Sequence, residues 1–82
     1  MKSPEQFTVE GTVLVSDKDK SGHIIRVLIE TDLFERYIVN NDDQGVKLME
    51  QLNKHVKATG VIENKQLNGD KVFTISGFEV II

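Results

Sequence analysis

Two arginines, Arg26 and Arg36, stand inside the apolar, β-branched stretches "HIIRVLIE" and "FERYIVN". A guanidinium held over an apolar surface can grip a phosphate through two donors or stack on a base. Four lysines sit in two polar stretches that would flank such a surface. Lys18 and Lys20 belong to "SDKDKSG", and Lys65 and Lys71 bracket "NKQLNGDK". Their chemistry would be phosphate clamping. Asp17, Asp19 and Asp70 stand beside them, so solvated turns of mixed charge are the simpler reading. The aromatic residues are Phe7, Phe34, Tyr37, Phe73 and Phe78. Single-strand binders stack bases on such rings. Four of these fit core positions, and Phe34 is the ring best placed for exposure.

Other chemistries lack their residues. His23 and His55 share no metal-ligand spacing with each other or with a carboxylate, and there is no cysteine. The alternating acids of "DKDKSG" lack the length and terminal glutamate of an EF-hand loop. No glycine-rich phosphate loop is present, and Ser76 has no base and orienting partner in view. The expectation is a non-enzymatic protein with no cofactor and no metal.

The chain has 82 residues and a net charge of −3, with 39% hydrophobic and 28% charged residues. That length implies one domain over 1–82, with residues 1–6 as a flexible N-terminal segment. A short chain buries a limited core, so its stability margin is small. Phosphate contacts dominate nucleic-acid affinity, and the acidic balance counts against tight, non-specific binding. "MKSPEQFTVEG" has no apolar stretch of a secretory signal, and no run is long enough to span a bilayer. A cytoplasmic protein is expected.

The elements that must position these residues follow from periodicity. "FTVEGTVLV" alternates Phe7, Val9, Val13 and Val15 against Thr8, Glu10 and Thr12, the pattern of a half-buried strand. "HIIRVLIE" and "FERYIVN" are the second and third strands, separated by "TDL" as a turn. "NDDQGVKLMEQLN" changes period: Val46, Leu48, Met49 and Leu52 predict a helix of about three turns at most. Asn41 or Asp42 would cap it, Gly45 weakens it, and packing of those four apolar residues on the sheet must hold it. "HVKATGVIE" and "KVFTISGFEVII" are strands four and five, joined through Asn68-Gly69, a strong hairpin signal. Phe73 and Ile75 are odd-numbered whereas Phe78 and Val80 are even, so Gly77 marks a bulge. Gly11 and Gly60 also stand inside strands. Five strands in so short a chain must curl and close to bury one face.

This order, and the pieces "VEGTVLV", "RYIVN…GVKLMEQLNKHVKATGVIE" and "VFTISGFEVI", resemble small bacterial oligonucleotide/oligosaccharide-binding (OB) domains over Phe7 to Ile82. The resemblance implies a mostly β fold: a five-stranded Greek-key barrel with one short helix between strands three and four. It also implies ligand binding on the outer face of strands two and three, flanked by the loops between strands one and two and between four and five.

A turn of Thr31 to Leu33 would set Val27 opposite Tyr37 and Ile25 opposite Val39, facing inward. Arg26, Leu28, Arg36 and Ile38 would then share the outer face, with Ile24 beside them, because burying an unpaired arginine is costly. Two functions fit. One is single-stranded nucleic-acid binding through Arg26, Arg36, Phe34 and the lysines. The alternative is a protein-interaction or accessory module, a homodimer among them, docking through Ile24, Leu28 and Ile38. Arg26 and Arg36 could instead be solvated partners of Glu10, Glu30 or Glu35.

Overall fold

The computed structural model describes residues 6–67 and 69–81, with side chains left undescribed over 64–67. Residues 1–5, in the segment expected to be flexible, and the hairpin residue Asn68 lie outside the described residues. The strands are β1 (Phe7–Lys18), β2 (Ile24–Glu30), β3 (Arg36–Val39), β4 (His55–Leu67) and β5 (Asp70–Val80). Between β3 and β4 run a helix, α1 (Asp43–Leu48), and a 3₁₀ turn (Met49–Gln51). The strands close into one barrel in the order β1-β2-β3-β5-β4, consistent with an OB-like fold. β3 and β5 are parallel, and every other neighbouring pair is antiparallel.

Closure depends on β1, which serves two partners. Phe7 to Thr12 pair with β4, and Thr12 to Lys18 pair with β2. Gly11 sits where one partner gives way to the other, directly against the Glu30 carbonyl. A strand that bends there lets the sheet close and removes exposed edges. Further along, the pairing of β5 with β4 slips between Thr59–Gly77 and Gly60–Ile75, leaving Ser76 as the extra residue. This is the bulge that the change of parity implied. Phe73 and Ile75 lie in the core, and Phe78 packs against the same core after the slip.

The interior is filled from every strand: Val9, Val13, Val27, Ile29, Val39, Val56, Ala58, Phe73 and Ile75. Leu48 of α1 is fully buried among them, with Met49 and Leu52 packed at the margin. Asp42 caps α1 by accepting a hydrogen bond from the Gly45 amide at 3.0 Å, which satisfies one of the free N–H groups of the first turn. Val46, expected to pack on the sheet, is instead exposed. The helix is too short to bury more than one stripe, and Gly45 and Leu48 occupy it. Phe7 also departs from its expected core place: it lies at the barrel's end and is 41% exposed.

Candidate functional site

The loop between β2 and β3 decides the site. It runs Thr31–Glu35, longer than the expected turn, and pairs Leu28 with Ile38, Ile29 with Tyr37 and Glu30 with Arg36. Thr31 builds it. Its amide donates to the Glu35 carbonyl at 2.9 Å, and its own carbonyl accepts from the Phe34 amide at 2.9 Å. Its hydroxyl accepts from the amides of Leu33 at 3.3 Å and Glu35 at 3.2 Å. Phe34 takes a left-handed backbone, φ 62°. Tyr37 therefore faces Ile29 rather than Val27. The slip is an even number of residues, so Val27, Leu28, Ile38 and Val39 keep their expected faces. Ile25, expected inward, is instead 39% exposed, and Ile24, expected outward, packs against the core, where the β1–β2 register shifts.

The outer face, however, is not what the alternation suggested. Leu28 and Ile38 are buried, 7% and 2% exposed, and do not form a docking patch. They lie in a row across neighbouring strands, with Leu14 beside Leu28 and Val72 beside Ile38. One flank of the row is the Arg36–Glu30 ion pair, Nε to Oε2 at 2.9 Å. On the other, Asn40 donates to the Thr74 hydroxyl at 3.2 Å and that hydroxyl donates to Glu63 at 2.8 Å. Cross-strand neighbours and the aliphatic stems of long polar residues can shield an apolar row in this way. Ile24 is likewise half-buried against the core.

Arg26 does not join Arg36. It lies beyond the last β3 pair and forms an ion pair with Asp17 across β1–β2, Nη1 to Oδ2 at 3.0 Å. Arg36 has one of the partners expected of a solvated arginine, Glu30, whereas the Asp17 pairing was not foreseen. Both pairs are partly exposed and contribute little to stability. Lys18 and Lys20 are exposed near the start of β2. In the intervening loop, Asp19 accepts from the amides of Ser21 and His23, each at 2.9 Å. That end lies about 20 Å along β2 from the Thr31–Glu35 loop, at the usual rise per strand residue. The Lys65 side chain lies outside the described residues.

Three of the singled-out residues do meet. Phe34, Arg36 and Lys71 line one open recess of about 270 Å³ with Glu35, Tyr37, Gly69 and Asp70. It forms where the β2–β3 loop meets the start of β5, because parallel β3 and β5 begin at the same end of the barrel and pair Tyr37 with Lys71. Phe34 is 80% exposed, and so is Leu33 beside it. Lys71 is exposed and makes no ion pair among the described residues. Gly69 has φ +85° in the hairpin turn.

Tyr37 and Leu33 were missed. Tyr37 has inward parity, and its ring packs on Phe73 with centroids 6.1 Å apart, but it sits at the mouth of the barrel, only half-buried. Leu33 stands in the expected turn, where its size is itself a signal: turns favour small and polar residues. Burial, and then the charge and hydrogen bond of Glu35 at 3.4 Å, raise the Tyr37 phenol above its ordinary 10.0. The neutral phenol is therefore favoured in the folded state. An alkaline absorbance titration of this single tyrosine should give a midpoint above 10.0, and Glu35→Gln should lower it. The stability tied to this proton is full below the unfolded value. It is lost as pH rises through the folded value. A midpoint unmoved by Glu35→Gln would remove the carboxylate from the account.

No protein-family model, curated protein or solved structure matches this chain.

Among the described residues no helix is long and apolar enough to cross a membrane, and no three His, Asp or Glu side chains gather as metal ligands. The histidines stand apart, His23 beside Asp19 at 3.4 Å and His55 beside Glu10 at 3.3 Å. The described lining of the recess is two aromatic rings, two cations, two carboxylates and Gly69, with the exposed Leu33 next to Phe34 in the chain.

Proposed function

We propose that this chain is a non-catalytic binding module of the OB type that engages a protein partner through the β2–β3 loop. The observation that carries this reading is the adjacent pair Leu33 and Phe34, each 80% exposed on a loop closed by four hydrogen bonds to Thr31. Scattered exposed apolar residues are ordinary. Here, however, one of the pair also holds a left-handed backbone, which costs a side-chain-bearing residue on the order of 1–2 kcal/mol. A ring that is left in water on a strained backbone serves something other than the fold.

Charge favours a protein over a nucleic acid. The net charge is −3, Arg26 and Arg36 are both engaged by carboxylates, and Glu35 and Asp70 share the recess with Lys71. A phosphate chain gains affinity from cations that release its counterions, and here it would meet as many carboxylates as cations. The barrel's closure and its helix between β3 and β4 support the OB assignment.

Phe34→Asn tests the reading, since asparagine tolerates the left-handed region. The melting temperature should rise by about 4–8 °C, the equivalent of ~1 kcal/mol in a domain of this size. A fall would mean that Phe34 supports the fold, and the reading would fail. Fluorescence anisotropy with a labelled mixed-sequence single strand should show no salt-sensitive binding at micromolar protein. Salt-sensitive binding that Lys71→Ala weakens would assign the recess to nucleic acid instead.

A further inference from the structure

We infer that the partner at the β2–β3 loop is a second copy of this chain, docked about a two-fold axis with each Leu33–Phe34 pair seated in the other copy's recess. The inference rests on the protein-partner reading and narrows it. A two-fold interface uses the same patch on both molecules, so the patch must complement itself. This one has both halves of such a fit: the exposed Leu33, and the recess of about 270 Å³ that the neighbouring Phe34 lines. Gly69 forms one wall and offers no side chain to block entry.

The charges fit the same operation. Glu35 and Asp70 face the recess together with Arg36 and Lys71. Arg36 is held by Glu30 at 2.9 Å, so a half-turn would set Lys71 of one copy against Glu35 or Asp70 of the other, although each chain is acidic overall. Lys71, which has no ion-pair partner among the described residues, and the two carboxylates beside it give the patch both signs, so it can complement its own copy. Aromatic and arginine side chains are also the residue types that anchor interfaces.

The patch is small. Stable interfaces bury about 800 Å² on each partner, and two side chains with a rim fall short of that. The dimer is therefore weak, as for interfaces at the low end of the size range.

Sedimentation equilibrium at rising protein concentration, up to about the millimolar range suited to a weak interface, tests this. The mass should climb from the 9.3 kDa monomer toward twice that value. Leu33→Asp and Lys71→Glu should each hold the chain at monomer mass without lowering its melting temperature. A wild-type chain that remains monomeric throughout overturns the inference. So does a dimer that both variants leave intact, because its interface lies elsewhere. These failures differ from failure of the broader reading: if Phe34→Asn still raises the melting temperature, the loop keeps its role toward a different protein. If it lowers it, both proposals fall.

Discussion

Gly60→Ala should destabilise the barrel by about 3 kcal/mol, the upper range for forcing atoms into a packed site. The melting temperature would fall by roughly 12–24 °C, at 4–8 °C per kcal/mol for a domain of this size. A Cβ at position 60 would run into the Thr74 carbonyl oxygen and come within 2.6 Å of the Ile75 Cα, both backbone atoms that no rotamer change can move. The cause is the bulge, which draws β5 toward β4 at this point. Gly77 lies on the other side of the same bulge, where its φ is not positive and a Cβ would meet nothing within 4 Å. Gly77→Ala should therefore change stability by no more than about 1 kcal/mol, the ordinary difference between the two residues in a strand. Thermal melts of the two variants side by side decide the matter. Equal losses would show that the backbone approach at Gly60 is not the controlling feature.

Ile38→Asp should cost about 4 kcal/mol or more, since it leaves an uncompensated carboxylate in a buried site. A domain of this length has a total margin of roughly 4–12 kcal/mol, so the substitution removes a third or more of it. Ile38 is 2% exposed between Leu28 and Val72, and the cation on the flank of that row, Arg36, is already paired with Glu30. Burial raises the folded-state value of the new carboxyl above its unfolded value of about 3.9. Its destabilising effect is then smallest at pH below that unfolded value and grows as the pH rises above it. Urea titrations near pH 4 and pH 7 would show this, with Ile38→Val, at about 1 kcal/mol, as the reference. An Ile38→Asp chain as stable as the wild type would mean that position 38 faces solvent, restoring the outer face as a docking surface.

That variant also marks where reading by alternation reaches its limit. Period two correctly places Ile38 and Leu28 on the outer side of the barrel and Val27, Ile29 and Val39 on the inner side. Alternation carries no information on whether the outer side is wet. Leu14, Leu28, Ile38 and Val72 cover one another only because four strands bring them into one row. Each looks like an isolated surface residue in its own strand.

The local chemistry of the chain determined much by itself. β-branched alternation fixed the strands, the shift of phase across Gly77 fixed the bulge, and Asn41 or Asp42 before a helical run marked the cap, of which the fold uses Asp42. In each case the interacting residues are close in sequence, so the pattern holds the whole interaction. Tertiary structure alone decided the rest. The length of the β2–β3 loop depends on Thr31 closing onto Glu35 and on Phe34 accepting a left-handed backbone, which propensity disfavours for a bulky residue. The separation of Arg26 from Arg36 follows from that register and from Asp17 on a third strand. Phe34, Arg36 and Lys71 share a recess because β3 and β5 run parallel from the same end of the barrel. A parallel pairing between strands separated by a helix and a third strand is set by closure of the whole barrel, and no short window of the chain contains it.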